Sequence, residues 1–198
     1  MGRRSDAHSR LVTAAQRLFQ ERGYQTVGVA ELCSAADVNK GSFYHFFPSK
    51  SNLLLEVLSN VWDETGILRT WEQHIPVEPV SELRRYLREL FACHYVDWET
   101  SGRVHGSLLA NVAADLGAHD SEVVGAIEQF IERQHLAFHA LLAAGQESGE
   151  LDTPDIGATA NGLVAMVHGL LTLAKVRNDL SILPSSETLL LRLAGMTV

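Results

Sequence analysis

The stretch Thr26–Lys50, TVGVAELCSAADVNKGSFYHFFPSK, holds two short helical patterns split by a tight break and ends on an aromatic cluster and a lysine. Thr26 suits the N-cap of a helix over about Val27–Ala36, because its hydroxyl can accept from an orphan N–H of the first turn. Val29, Leu32, Cys33 and Ala36 recur three and four residues apart and would line the inner face of that helix. Asp37 breaks the pattern, since its short polar side chain tolerates the left-handed region. Asn39 can cap the next helix, which runs through Phe43 to about Phe46. Val38 lies between the two and should plug the angle, and Gly41 lets another backbone or a partner come close. Two short helices joined by a tight turn follow the helix-turn-helix plan, which places its second helix in the major groove of duplex DNA.

Working outward, Leu11, Ala14, Ala15, Leu18 and Phe19 form an amphipathic stripe that predicts a bracing helix from about Ser5 to Gly23. Arg3, Arg4 and Arg10 stand at or before its start, against the helix dipole, where a phosphate would give them a use. On the other side, Pro48 ends the second helix and Ser49 caps a new one. Leu54, Leu55, Val57, Leu58, Val61 and Trp62 make that helix apolar on more than one side, so it should join two packed units and reach Leu68 or Trp71. Helices are further predicted over Val80–Thr100, Gly106–Leu116 and Ser121–Ser148, then from the cap pair Thr153–Pro154 to about Asn178, and from Ser185 or Ser186 to about Met196. No stretch alternates as a strand. The expected fold is all-α with about nine helices: a DNA-binding domain over 1–48 and a ligand-binding and dimerisation domain over 49–198.

The totals fit this division. The chain has 198 residues and is 46% hydrophobic, enough for a substantial core. Its net charge of −8 opposes DNA as a total, but the distribution reverses that. Residues 1–50 hold seven Lys/Arg against four Asp/Glu, a net of +3, and the rest holds nine against twenty, a net of −11. A basic head on an acidic body suits a protein that meets phosphate with one end. Two cysteines, Cys33 and Cys93, make no disulfide framework and read as free thiols of a reducing cytoplasm. The N-terminus lacks a hydrophobic signal core. Leu163–Val176, broken by His168, Gly169 and Lys175, reads as a buried helix rather than a membrane span.

Across Thr26–Lys50 the sequence resembles the TetR family of bacterial transcriptional regulators. That family shows a Thr, an Ile/Val-Ala pair, an A-G-V-S turn, then G-x-[LF]-Y, an aromatic or His pair, Phe and Lys. Here those places read Thr26, Val29-Ala30, Ala36-Asp37-Val38-Asn39, Gly41-Ser42-Phe43-Tyr44, His45-Phe46-Phe47 and Lys50. Asp37 replaces the usual turn Gly and Asn39 the usual Ser; both keep the local physics. Phe46 stands where a His often precedes the final Phe, and His45 can take over that donor role. The segment Gly106–Asn111 looks like one found in a branch with electrophile-sensing members. The cysteine of that segment is Ser107 here, which argues against thiol sensing.

The resemblance implies a ligand-responsive regulator, by default a repressor, that binds a palindromic operator as a dimer. Thr26, Tyr44 and Lys50 would serve phosphates, and Asn39, Lys40, Gly41, Ser42, Phe43 and His45 would form the presumed recognition helix. Trp62, Phe91, His94, Trp98, Phe130, Gln134 and Met166, with Trp71, Tyr95, His135, Phe138 and His168 near them, would enclose a small, largely apolar or aromatic effector. The last two helices would pair the subunits, through Gly157, Ala158, Ala160, Gly162, Ala165 and Gly169 and through Leu189, Leu190, Leu191 and Leu193. No cofactor, metal or membrane partner is expected: His135 and His139 are four apart but lack the Glu of a zinc-protease motif. A helical enzyme and a protein-interaction module are the competing readings. The first lacks a nucleophile–base motif, phosphate loop or metal spacing, and the second is separated by whether any DNA binds.

Overall fold

Eleven helical segments form among the residues described by the computed structural model, which are 2–62, 65–115 and 121–196. The side chains of Arg3 and Arg4, expected to serve a phosphate, lie outside the described residues, as does Leu116. Two local events raise the count above nine. The helix from Ser49 does not reach Leu68: α4 spans Lys50–Val61, and α5, Ile67–Gln73, starts separately after Gly66. Gly66 sits at φ +73°, a left-handed conformation that no running α-helix contains and that glycine adopts without strain. At the other end a single turn, α10 (Ile182–Ser185), precedes α11 (Glu187–Leu193). Pro184 does not prevent it, because a first-turn residue has no helical acceptor for an N–H.

The chain divides into two compact units, Met1–Trp62 with Ser107–Phe130, and Asp63–Gly106 with Ile131–Val198. The first unit thus runs to the end of α4 and takes in the start of the helix that begins at Ser121. In the first unit α1 (Gly2–Arg22) packs on α4, on α2 (Val29–Ala35) and on α7 (Leu108–Asp115). Leu11, Ala15, Phe19, Leu32, Phe43, Leu53, Leu54 and Val57 are buried there. Each large apolar side chain so removed from water stabilises by about 1.5–3 kcal/mol. Arg22 pairs with Glu31 and so ties the end of α1 to α2. Asn52 of α4 donates to Glu122 at the start of α8 (Ser121–Ser148) at 3.4 Å.

The second unit is built on α6 (Pro79–Ser101), the later part of α8, and α9 (Ile156–Arg177). Trp71, Tyr86 and Phe138 form a ring cluster with centroids 5.5–6.0 Å apart. Arg84 of α6 reaches Glu187 of α11 at 2.7 Å. The cap of α9 is Asp155, whose carboxylate accepts from the Ala158 amide at 2.9 Å; Thr153 is not the cap. The buried Thr153 hydroxyl instead donates to the Ala194 carbonyl at 2.8 Å and fastens the α8–α9 connection to the end of α11.

By length and composition α9 is apolar enough to cross a membrane, yet only 33% of its most apolar window is buried. The helix read as buried is so along one face. Leu163, Val167, Leu170, Leu171 and Ala174 face the core, while Ala158, Ala165, Gly169, Leu173 and Val176 face outward. Leu190 and Leu191 of α11 are likewise core, so only Leu189 and Leu193 of that group remain at the surface.

Candidate nucleic-acid interface

The α2–α3 connection is set by three residues. Asp37 lies at φ +50°; its amide bonds to Ser34 and the Val38 amide to Cys33, at 3.2 and 2.9 Å. This is a Schellman closure, which satisfies the last carbonyls of α2. Asn39 then caps α3 (Lys40–Phe46), its side-chain oxygen accepting from the Ser42 amide at 2.7 Å. A Cβ on Gly41 would stand 3.2 Å from that oxygen, so the glycine keeps the cap uncrowded.

The faces of α3 are sharply divided. Phe43 is fully buried, with ring centroids 5.2 Å from Tyr44 and 6.0 Å from Phe47. It anchors the helix, which corrects the expectation that it meets base edges. Lys40, Tyr44 and His45 are exposed, Tyr44 at 56% of its surface, and Ser42 is half-buried. An open cleft of about 710 Å³ runs beside them, lined by Ala7, Arg10, Asp37, Val38, Asn39, Gly41, Ser42, His45 and Phe46.

Two residues assigned to phosphate are occupied otherwise. The Thr26 hydroxyl donates to the carbonyls of Arg22 and Gly23, at 2.6 and 3.2 Å, and closes the end of α1. The N-cap of α2 is Gly28, not Thr26. The Lys50 ammonium donates to the carbonyls of Tyr24 and Val27, at 2.8 and 3.1 Å, and lies 4.2 Å above the Tyr24 ring. Burial pushes the Lys50 ammonium below its ordinary range, and the Asp115 carboxylate opposes that shift. Asp115 also accepts from the Gln25 amide at 3.4 Å, so residues 23–28 are held from α4 and from α7. Lys50 thus braces the α1–α2 loop rather than standing free for a phosphate. Arg10, which the sequence marked for a phosphate, stands 3.6 Å from Asp37, and His8, which carried no such signal, has its ring 5.0 Å from Phe47.

The residues expected around an effector are mostly buried. Trp62 and Phe130 are buried in the first unit, and Phe91, His94 and Gln134 are buried in the second, where Met166 is half-buried. Trp98 is 40% exposed near the end of α6. Gln134 and His168 are bonded at 2.8 Å across α8 and α9. Burial pushes His168 down to about 4 and also lowers His94. His135 and His139 approach to 6.0 Å between rings. Among the described residues no group of three or more His, Cys, Asp or Glu is arranged to hold a metal ion.

A short helix anchored inward by one aromatic and presenting donors outward, after a capped tight turn, defines a helix-turn-helix DNA-binding protein. The profile of bacterial regulatory proteins of the tetR family matches residues 11–57. The chain is 31% identical over 164 residues to the transcriptional regulator AcuR of Cereibacter sphaeroides, a match covering 78% of this chain and 70% of that one. It is 26% identical to the transcriptional repressor DhaR of a Mycobacterium species, over 89% of this chain and 86% of that one. Among solved structures, a regulatory protein TetR from Rhodobacter sphaeroides superposes with a TM-score of 0.80 at 27% identity, covering 94% and 97% of the two chains. A TetR-family regulator from Agrobacterium tumefaciens shares the fold with a TM-score of 0.82 at 21% identity, covering 98% of this chain and 100% of that one. The protein belongs to the TetR family and is a transcriptional regulator with a DNA-binding helix-turn-helix.

Proposed function

We propose that the protein is a ligand-responsive repressor that binds a palindromic operator as a homodimer and leaves it when a small, largely apolar or aromatic effector binds. The outer face of α3 carries the reading. Lys40, Tyr44 and His45 are exposed donors beside the Asn39–Ser42 cap, in the only net-positive part of an acidic chain. Phosphate oxygens and base edges in the major groove are the acceptors such a face requires. Residues 1–48 act as the reading head and 49–198 as the effector and dimerisation part. A relative named as a repressor supports the direction of control.

One α3 reads only a few base pairs, so selectivity requires two heads about one DNA turn apart. The outward face of α9 and Leu189 and Leu193 of α11 supply the pairing surface, apolar and lined with small residues. Phe91, His94, Gln134 and Met166 are the effector contacts we assign, a mainly apolar set with two polar groups. Effector binding shifts α4, changes the spacing of the two heads and releases DNA. A protein working on operator DNA acts in the cytoplasm.

Selection of bound duplexes from a random pool tests the proposal. The expected product is a palindrome with half-sites about one helical turn apart. Recovery of no preferred sequence would overturn it.

A further inference from the structure

Asp37 occupies the lip of the cleft beside α3 on poor terms. Its backbone is left-handed, at φ +50°, where glycine would be unstrained. Its side chain is 98% exposed and lies 3.6 Å from the Arg10 guanidinium, which also stands 3.8 Å from Asp6. The other polar groups lining the cleft are Arg10, Asn39, Ser42 and His45, each able to donate to an anion. A carboxylate among them offers a phosphate only acceptors and repulsion. The residue therefore adds neither buried contact nor relaxed geometry to the turn, and it places negative charge on the face that meets DNA.

We propose that Asp37 acts as a brake on DNA affinity, by withholding a phosphate contact from the Arg10 guanidinium. It shares the Arg10 guanidinium and offsets one positive charge of the head. Binding through the phosphate backbone is thereby weakened on operator and on random duplex alike. The inference rests on the proposal that this face binds DNA. It follows from the weight of phosphate contacts in non-specific binding: each released basic side chain adds one phosphate contact and steepens the salt dependence by about 0.9.

The test compares wild type with Asp37→Asn, alone and with Arg10→Met, on a selected operator and on random duplex over a salt series. Asn keeps the turn, as Asn178 shows at φ +49°. Asp37→Asn is expected to bind random duplex and operator about five- to tenfold more tightly, with a salt slope steeper by about one on both. With Arg10→Met the gain should fall below about twofold, as coupled residues require. Tightening cannot arise from damage to the fold. A wild type that binds no duplex overturns both readings. A wild type that binds while Asp37→Asn binds no more tightly overturns this one alone, as does an undiminished gain without the Arg10 guanidinium.

Discussion

Helices α3 and α9 each bury one face in the chain and leave another over, and the two leftover faces differ in kind. The outer face of α3 carries Lys40, Tyr44 and His45, all of them donors. That of α9 is mostly apolar, with Ala158, Ala165, Gly169, Leu173 and Val176 beside Asn161 and Thr172, whose hydroxyl donates to the His168 carbonyl of its own helix. The first is satisfied by water or by phosphate. The second is satisfied only by another apolar surface, at about 25 cal/mol for each Å² covered. Small residues along it let a second backbone approach closely. The helices also differ in how far they rely on their neighbours. Seven residues cannot hold a helix alone, so α3 depends on one anchor and one cap. The 22 residues of α9 are closed at their ends by Asp155 and by Asn178, and bury several large side chains.

Phe43→Ala breaks the comparison most severely, by removing the inner face of α3. A fully buried phenylalanine truncated to alanine costs about 3–5 kcal/mol. The expected outcome in a urea titration is a midpoint lowered by that amount, together with loss of DNA binding. A midpoint shift under 1 kcal/mol would show that α3 is anchored elsewhere. On the inner face of α9 the matching element is His168, bonded to Gln134. Its folded value, about 4, lies below the ordinary 6.5, so between these values the unfolded chain binds more protons and stability rises with pH. Acidifying from about pH 6.5 to 4 should therefore cost up to about 3 kcal/mol through this group. The measurement is the difference in urea stability between wild type and His168→Gln across that window. Parallel curves would remove His168 as the cause.

What the sequence disclosed follows the range of the interactions involved. The Asp37 turn, the Asn39 and Ser49 caps and the span Ser121–Ser148 depend on residues within a few places of each other, and the residue types alone select them. Phe43 was harder to place. With aromatics at 43, 44, 46 and 47, seven residues define no unique apolar stripe, and burial against α1 and α2 chose the phase. The partners of Lys50 are carbonyls 26 and 23 residues earlier, so nothing local to the lysine marks them. Thr26 read as a cap of the helix after it and serves the one before. Gly66 was a legible break, overridden by the apolar run preceding it. The division of α9 into inner and outer faces needed the packed unit, because leucine, valine and alanine occur on both.

Leu173→Glu tests the outer face of α9. Leu173 is 45% exposed, so the substitution leaves the fold of one chain intact. A charge facing a second copy would raise the dimer dissociation constant on the order of a hundredfold, about 2.7 kcal/mol. Sedimentation at micromolar concentration should then show a monomer with unchanged helix content. A variant that sediments like wild type moves the pairing surface off this helix.

Tyr44→Phe tests the outer face of α3 most finely, since it removes one oxygen from an exposed ring. The edge contact with Phe43 is kept, so melting should not move. If the hydroxyl donates to a phosphate, affinity falls about five- to tenfold, roughly 1–1.4 kcal/mol, and by the same factor on operator and on random duplex. The salt slope stays constant, because a neutral donor displaces no counterion. That combination separates Tyr44 from the Arg10–Asp37 pair, where Asp37→Asn alters the slope. A Tyr44→Phe variant that loses operator binding alone would move the hydroxyl from the backbone to a base edge, and α3 would then read sequence with the residue next to its anchor.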